Sequence, residues 1–153
     1  MGWTRQASGY NKSMATEAQG SRTRGVEKQS REGLRMRLGN GPEAAAEARR
    51  AIAHLRADLD PPLMETLRLL VTELVTNSVR HTDSDALTLR IAIGRAGVLT
   101  EVVDDGPEFD PADCVSDQPH DGWGLFLVER LAPNWGVTSI DGSKRVWFEL
   151  HRA

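Results

Sequence analysis

The chain has a single cysteine, Cys114, in 153 residues, which excludes an internal disulfide framework and a cysteine-built metal cluster. It has no apolar run approaching the ~18 residues that a membrane helix requires, and its N-terminus lacks the apolar stretch of a signal peptide. These absences predict a cytoplasmic protein that does not engage a membrane. Residues 1–33 contain no Leu, Ile or Phe and only one Val, Val26. Rich in Gly, Ser, Thr, Gln and Arg, they cannot bury enough apolar surface to order themselves, so a disordered basic tail is expected there. His54, His81, His120 and His151 show no zinc-ligand spacing. No internal repeat is present.

What remains is one domain, residues 34–153, long enough for a real core. The formal net charge of -3 divides unevenly. Six Lys/Arg and three Glu give the tail +3, so the other 120 residues carry -6. An acidic body argues against direct nucleic-acid binding through the phosphate backbone.

From Leu34 the pattern tightens. "LRMRL" (34–38) alternates apolar and basic residues, as a half-buried strand does. After "GNGP", Pro42 is placed to open a helix over 42–59, with an apolar stripe through Ala45, Ala48, Ile52 and Leu55. Asp60 followed by Pro61 and Pro62 is a start signal for a second helix running from about Pro62 to Val79. Its stripe is Leu63, Leu67, Leu70, Leu74 and Ser78. "ALTLRIAIG" and "VLTEVVDD" read as a hairpin, and "GWGLFLVERLA" (122–132) as a glycine-opened helix. "WGVTSI" and "RVWFEL" read as strands around "DGSK". This order predicts an α/β (α+β) two-layer sandwich, with helices on one face of a mixed, mostly antiparallel sheet.

Three polar features stand out. In "ELVTNSVRHT" (73–82), Glu73 and Asn77 are four apart and share a helix face. An isolated pair of this kind is ordinary on an amphipathic helix. It also suits a Mg²⁺-nucleotide site, because a carboxamide oxygen is a hard neutral ligand and a neighbouring carboxylate can orient a nucleophile. In "EVVDDGPEFDP" (101–111), carboxylates fall where a strand leaves the sheet. They read as a solvated turn or as an acceptor for an exocyclic amine. Residues 101–121 hold eight Asp/Glu and no Lys/Arg, yet the spacing does not match a calcium-binding EF-hand loop. In "DGWGLFLVERLA", Gly122 and Gly124 open a helix where backbone N–H groups can approach a phosphate. Walker and Rossmann patterns are absent.

In this order and on these elements, the three features resemble the histidine-kinase-like ATPase superfamily, the GHKL or Bergerat fold. Glu73 and Asn77 match its N box, Asp104 and Gly106 in "DDGPE" its D-x-G-x-G box, and Gly122, Gly124 and Leu125 in "GWGL" its later glycine box. The resemblance covers Leu34 to Leu150 and is closest to the anti-sigma-factor serine/threonine kinases. It implies ATP and Mg²⁺ as cofactors, Glu73 as general base or water positioner, and Asn77 as the Mg²⁺ ligand. Asp104 is the implied contact for adenine. Arg80 has two readings, a phosphate contact and a helix cap; Lys144 likewise, a basic site position and a solvated hairpin charge. The implied partner is an anti-anti-sigma (STAS-type) protein phosphorylated on Ser or Thr, a sigma factor held on the same surface, or both, and a homodimer fits the resemblance. One position departs: Glu108 stands where the second glycine of D-x-G-x-G belongs, which predicts weakened ATP binding or a differently packed lid. The rivals are a sensor histidine kinase, which the chain is too short to build, and a non-catalytic, nucleotide-gated clamp.

Overall fold

A computed structural model of the chain describes residues 31–82, 85–105 and 123–153. The expected tail lies outside the described residues up to residue 30, and 31–33 already belong to the first strand. In chain order the elements are β1 (Arg31–Gly39), α1 (Ala44–Ile52), a 3₁₀ turn (Ala53–Leu55) and α2 (Pro61–His81). Then follow β2 (Ala86–Ile93), β3 (Gly97–Asp104), α3 (Trp123–Leu131), β4 (Asn134–Ile140) and β5 (Ser143–His151). The five strands form one sheet in the order β1-β2-β3-β5-β4. Every pairing among them is antiparallel, so the described sheet has no parallel component.

The helix that buries most is α2. Its inward residues Leu63, Leu67, Leu70, Leu74 and Ser78 follow the predicted stripe, widened by Met64, Val71 and Val75. Ala44, Ala48 and Ile52 of α1 and Leu125 and Val128 of α3 join the same core, with Ala45 and Val79 packed half-buried against it. From the sheet it takes alternate residues, such as Val146, Phe148 and Leu150 of β5. The intervening residues form a separate small cluster, in which Trp147 packs with Leu99 and Ala92. Period-2 alternation thus assigns the two faces.

Helix ends differ from expectation in informative ways. Asp60 holds the extended N-cap conformation but makes no side-chain cap bond. A capping side chain normally serves the N–H of the second or third helical residue. Here Pro61 and Pro62 have removed two of the orphan donors. Pro42 lies in a turn before α1 rather than inside it, and Ala44 N–H reaches the Gly41 carbonyl. α1 stops at Ile52 and tightens into the 3₁₀ turn, short of residue 59, because buried Leu59 has to swing back into the core before Asp60 enters α2.

The hairpins are set by backbone geometry. Asp141 and Gly142 both have positive φ (50° and 81°), as the two central residues of a type I′ turn require, and they join β4 to β5. At Gly97 an added Cβ would lie 1.9 Å from the Leu150 carbonyl oxygen, so only glycine lets β3 start against β5.

On the face opposite the main core, β2, β3 and β5 are tied by charge. Glu101 is paired with Arg145, and Arg90 approaches its other oxygen at 3.4 Å. The Glu101 and Arg145 side chains are 9% and 7% exposed. A pair this buried is costly to form and costlier to break, since removing one member leaves the other desolvated. Glu101→Ala is therefore expected to lower stability by about 3–5 kcal/mol, measured by urea denaturation, whereas a solvated pair would move it by less than about 1 kcal/mol.

Candidate functional site

Of the predicted site residues, Glu73, Asn77 and Arg80 lie on the C-terminal half of α2, which is joined through Ser78 to Asp104 at the end of β3. Glu73 and Asn77 lie one turn apart on α2 and are both half-buried, while Arg80 is exposed. Burial pushes the Glu73 carboxyl above the ordinary glutamate range, and the Arg80 charge pulls partly in the other direction. Arg80 is thus coupled electrostatically to Glu73. Its last-turn position on α2 also suits the helix dipole, so neither sequence reading of Arg80 is displaced.

Asp104 ends β3 and is buried, not a solvated turn residue. The Ser78 hydroxyl donates to its Oδ2, and Lys144 Nζ lies 3.4 Å from the same oxygen. Lys144 occupies β5 directly opposite Asp104 in the antiparallel register. Its side chain is 3% exposed, so the solvated-hairpin reading is corrected: the strand pairing carries it inward onto a carboxylate. Ser78 appears in the sequence only as the polar end of a core stripe. Its role as the link from α2 to Asp104 was not legible there, although a hydroxyl continuing a leucine stripe at i+4 is the signal that points to it.

Neighbouring contacts hold the same corner. Asn40 Nδ2 donates to the Thr82 carbonyl at 3.1 Å and Asn40 N–H to the Asp85 carbonyl at 3.1 Å, pinning the exit of β1 to the end of α2. The Ser143 hydroxyl donates to Asp105 Oδ1 at 2.9 Å, joining the start of β5 to the end of β3. On the other flank, α3 packs against α2. Leu125 is buried in the main core and Gly124 is the second residue of α3. Trp135 Nε1 donates to Glu129 Oε2 at 2.6 Å, fixing α3 to β4, and burial raises the Glu129 carboxyl despite that bond. Gly106, Glu108 and Gly122 lie outside the described residues.

Among the described residues no group of three or more His, Cys, Asp or Glu is placed to hold a metal ion. Nor is any described helix long and apolar enough to cross a membrane.

Two consequences are measurable. Lys144→Met leaves Asp104 buried without its cation, and is expected to cost about 3–5 kcal/mol in chemical denaturation; a solvated lysine would cost less than about 0.5 kcal/mol. For Glu73 the folded-state pKa is raised, so its contribution to stability is complete below the unfolded pKa and is lost as pH rises through the folded one. Glu73→Gln is accordingly expected to raise the melting temperature near neutral pH. The two curves should converge at pH values below the ordinary glutamate range.

Comparison with known proteins bears on the fold and the family. A chain of the crystal structure of the SiaB-SiaC complex from Pseudomonas aeruginosa superposes with a TM-score of 0.63, at 14% identity, covering 90% of this chain and 99% of that one. At that identity the likeness establishes the fold. No curated protein matches the chain. The model of the histidine kinase-like ATPase domain matches residues 39–149, from the end of β1 to the last strand and across every described site residue. The chain belongs to the histidine kinase-like ATPase domain family.

Proposed function

We propose that the protein binds ATP with Mg²⁺ and transfers the γ-phosphoryl group to a serine or threonine of a regulatory protein partner, in the manner of the anti-sigma-factor kinases. ATP binding is the part that family membership carries. One observation carries the site assignment: Glu73 and Asn77 share a half-buried face of α2, and the next residue, Ser78, is bonded to the buried carboxylate at the end of β3. In this reading the metal ligand, the base and the adenine-contacting carboxylate belong to one junction of α2 with β3.

In this reading Asn77 gives its carboxamide oxygen to Mg²⁺, and Asp104 accepts a hydrogen bond from the adenine amino group. Gly106, Gly122, Gly124 and Leu125 shape the backbone against the nucleotide, with Arg80 and Lys144 as cationic neighbours. The partner's hydroxyl oxygen forms a bond to the γ-phosphorus as the bond to the β,γ-bridging oxygen breaks. Glu73 takes the hydroxyl proton and ADP leaves. The raised Glu73 pKa makes it a better proton acceptor than an exposed glutamate. The partner proposed is an anti-anti-sigma (STAS-type) protein, a sigma factor, or both on one surface. The SiaB-SiaC structure supports a partner-binding role because it is a complex built on this fold.

A second reading follows from Glu108, which places a carboxylate in the nucleotide box where a glycine belongs. There the protein is a nucleotide-gated clamp that holds its partner without phosphorylating it. The experiment is a thermal melt with Mg-ATP and Mg-ADP, followed by incubation of wild-type and Asn77→Ala protein with candidate anti-anti-sigma domains and labelled ATP. At a ligand concentration of about 100 Kd, stabilisation of about 2.7 kcal/mol is expected. Asn77→Ala should lose the Mg²⁺-dependent share of that shift and all phosphotransfer. Binding without transfer selects the clamp, and no shift with either nucleotide refutes the nucleotide site.

A further inference from the structure

A second feature lies at the other end of α2. Between α1 and the first turns of α2 runs a groove of about 630 Å³. Its centre is roughly 12 residues from Asn77, about 18 Å along the helix axis. Four arginines, Arg49, Arg50, Arg56 and Arg68, stand around a floor that includes Leu59 and Met64, both buried. Glu65 is the one acidic residue lining it. The groove therefore carries a local +3 within a domain body whose balance is -6.

Contacts among the described residues do not account for this concentration of charge. Arg49 Nη1 lies 3.5 Å from the Thr72 hydroxyl, and Arg68 lies 3.8 Å from Glu65. Arg50 and Arg56 are exposed and make no ion pair among the described residues. The dipole of α1 favours Arg49 and Arg50 in its last turn. Arg56 and Arg68 lie outside that turn, so they add repulsion that the helix does not offset.

The surroundings select among anions. The acidic body opposes a long nucleic-acid backbone. A small phosphate at the start of α2 would need backbone N–H donors there, and Pro61 and Pro62 have none. Guanidinium forks around an apolar floor instead match carboxylates and apolar side chains presented together on one chain segment. We propose that this groove receives an acidic, amphipathic segment of a protein partner, with its carboxylates on Arg50 and Arg56 and its apolar side chains over Leu59 and Met64. The inference does not rest on the nucleotide site.

The test uses the full chain, a fluorescein-labelled helical peptide with glutamate on one face and leucine on the other, and a counterpart with glutamine for glutamate, read by fluorescence anisotropy. The glutamate peptide is expected to bind at least about tenfold more tightly than its counterpart, and less tightly as salt is raised. The double variant Arg50→Glu/Arg56→Glu should weaken it by about tenfold or more with an unchanged melting temperature, both side chains being exposed. Asn77→Ala should bind the peptide as wild type does, which separates this outcome from failure of the nucleotide site. Equal binding of the two peptides, or wild-type affinity in the double variant, overturns the proposal. Displacement of the peptide by millimolar inorganic phosphate, with sodium chloride of equal ionic strength as control, also overturns it, in favour of a small-anion site.

Discussion

The Asp104 carboxylate is the point at which helix and sheet are joined by charge rather than by apolar packing alone. It ends β3 under α2, bonded to Ser78 from the helix and facing Lys144 from β5. Each of the three groups is more than nine-tenths buried, and none is tolerable there without the others. The contact fixes the rotation of α2 about its axis and so determines which way Asn77, one residue before Ser78, and Glu73, one turn earlier, are presented. An entirely apolar interface would hold α2 against the sheet with far less constraint on that rotation, since dispersion and burial are weakly directional.

The same geometry accounts for the environment of Glu73 on α2. It shares α2 with the main core stripe but sits at its margin, buried enough that its ionised form is disfavoured and near enough to Arg80 that the effect is moderated. A carboxylate held in that condition reduces stability near neutral pH and gains basicity. Glu65, two turns earlier on the same helix, is exposed to solvent. Position on the helix face, not residue type, separates the two.

Charge is segregated along α2. The end nearest β3 meets the acidic strand terminus, and the other end faces the arginine groove shared with α1. The prolines that start α2 relieve its N-terminus of two unpaired donors and also remove the donors that would make it a phosphate cradle. A single sequence choice therefore shapes both how the helix begins and which anions the neighbouring groove can accept.

Periodicity alone determined much of this molecule. The 3.6-residue stripe from Leu63 to Ser78 and the alternation in β2, β3 and β5 are local properties of the chain, so the elements, their buried faces and the Glu73–Asn77 pairing on one helix face were legible. So were Asp104 as the end of a strand and the helix that follows it in the chain. Tertiary structure decided what depends on residues distant in sequence. Lys144 is inward because the β3–β5 register places it opposite Asp104, and a hairpin-flanking lysine carries no local mark of that register. Ser78 became a link because β3 ends beneath it, 26 residues later. The arginine groove arises because α1 stops at Ile52 and folds back at Leu59, bringing Arg49, Arg50 and Arg56 beside Arg68. Helical period and strand alternation are encoded residue by residue. Register, helix rotation and the meeting of like charges across a hairpin are fixed only when the core closes, because only then do desolvation and packing make one arrangement cheaper than its neighbours.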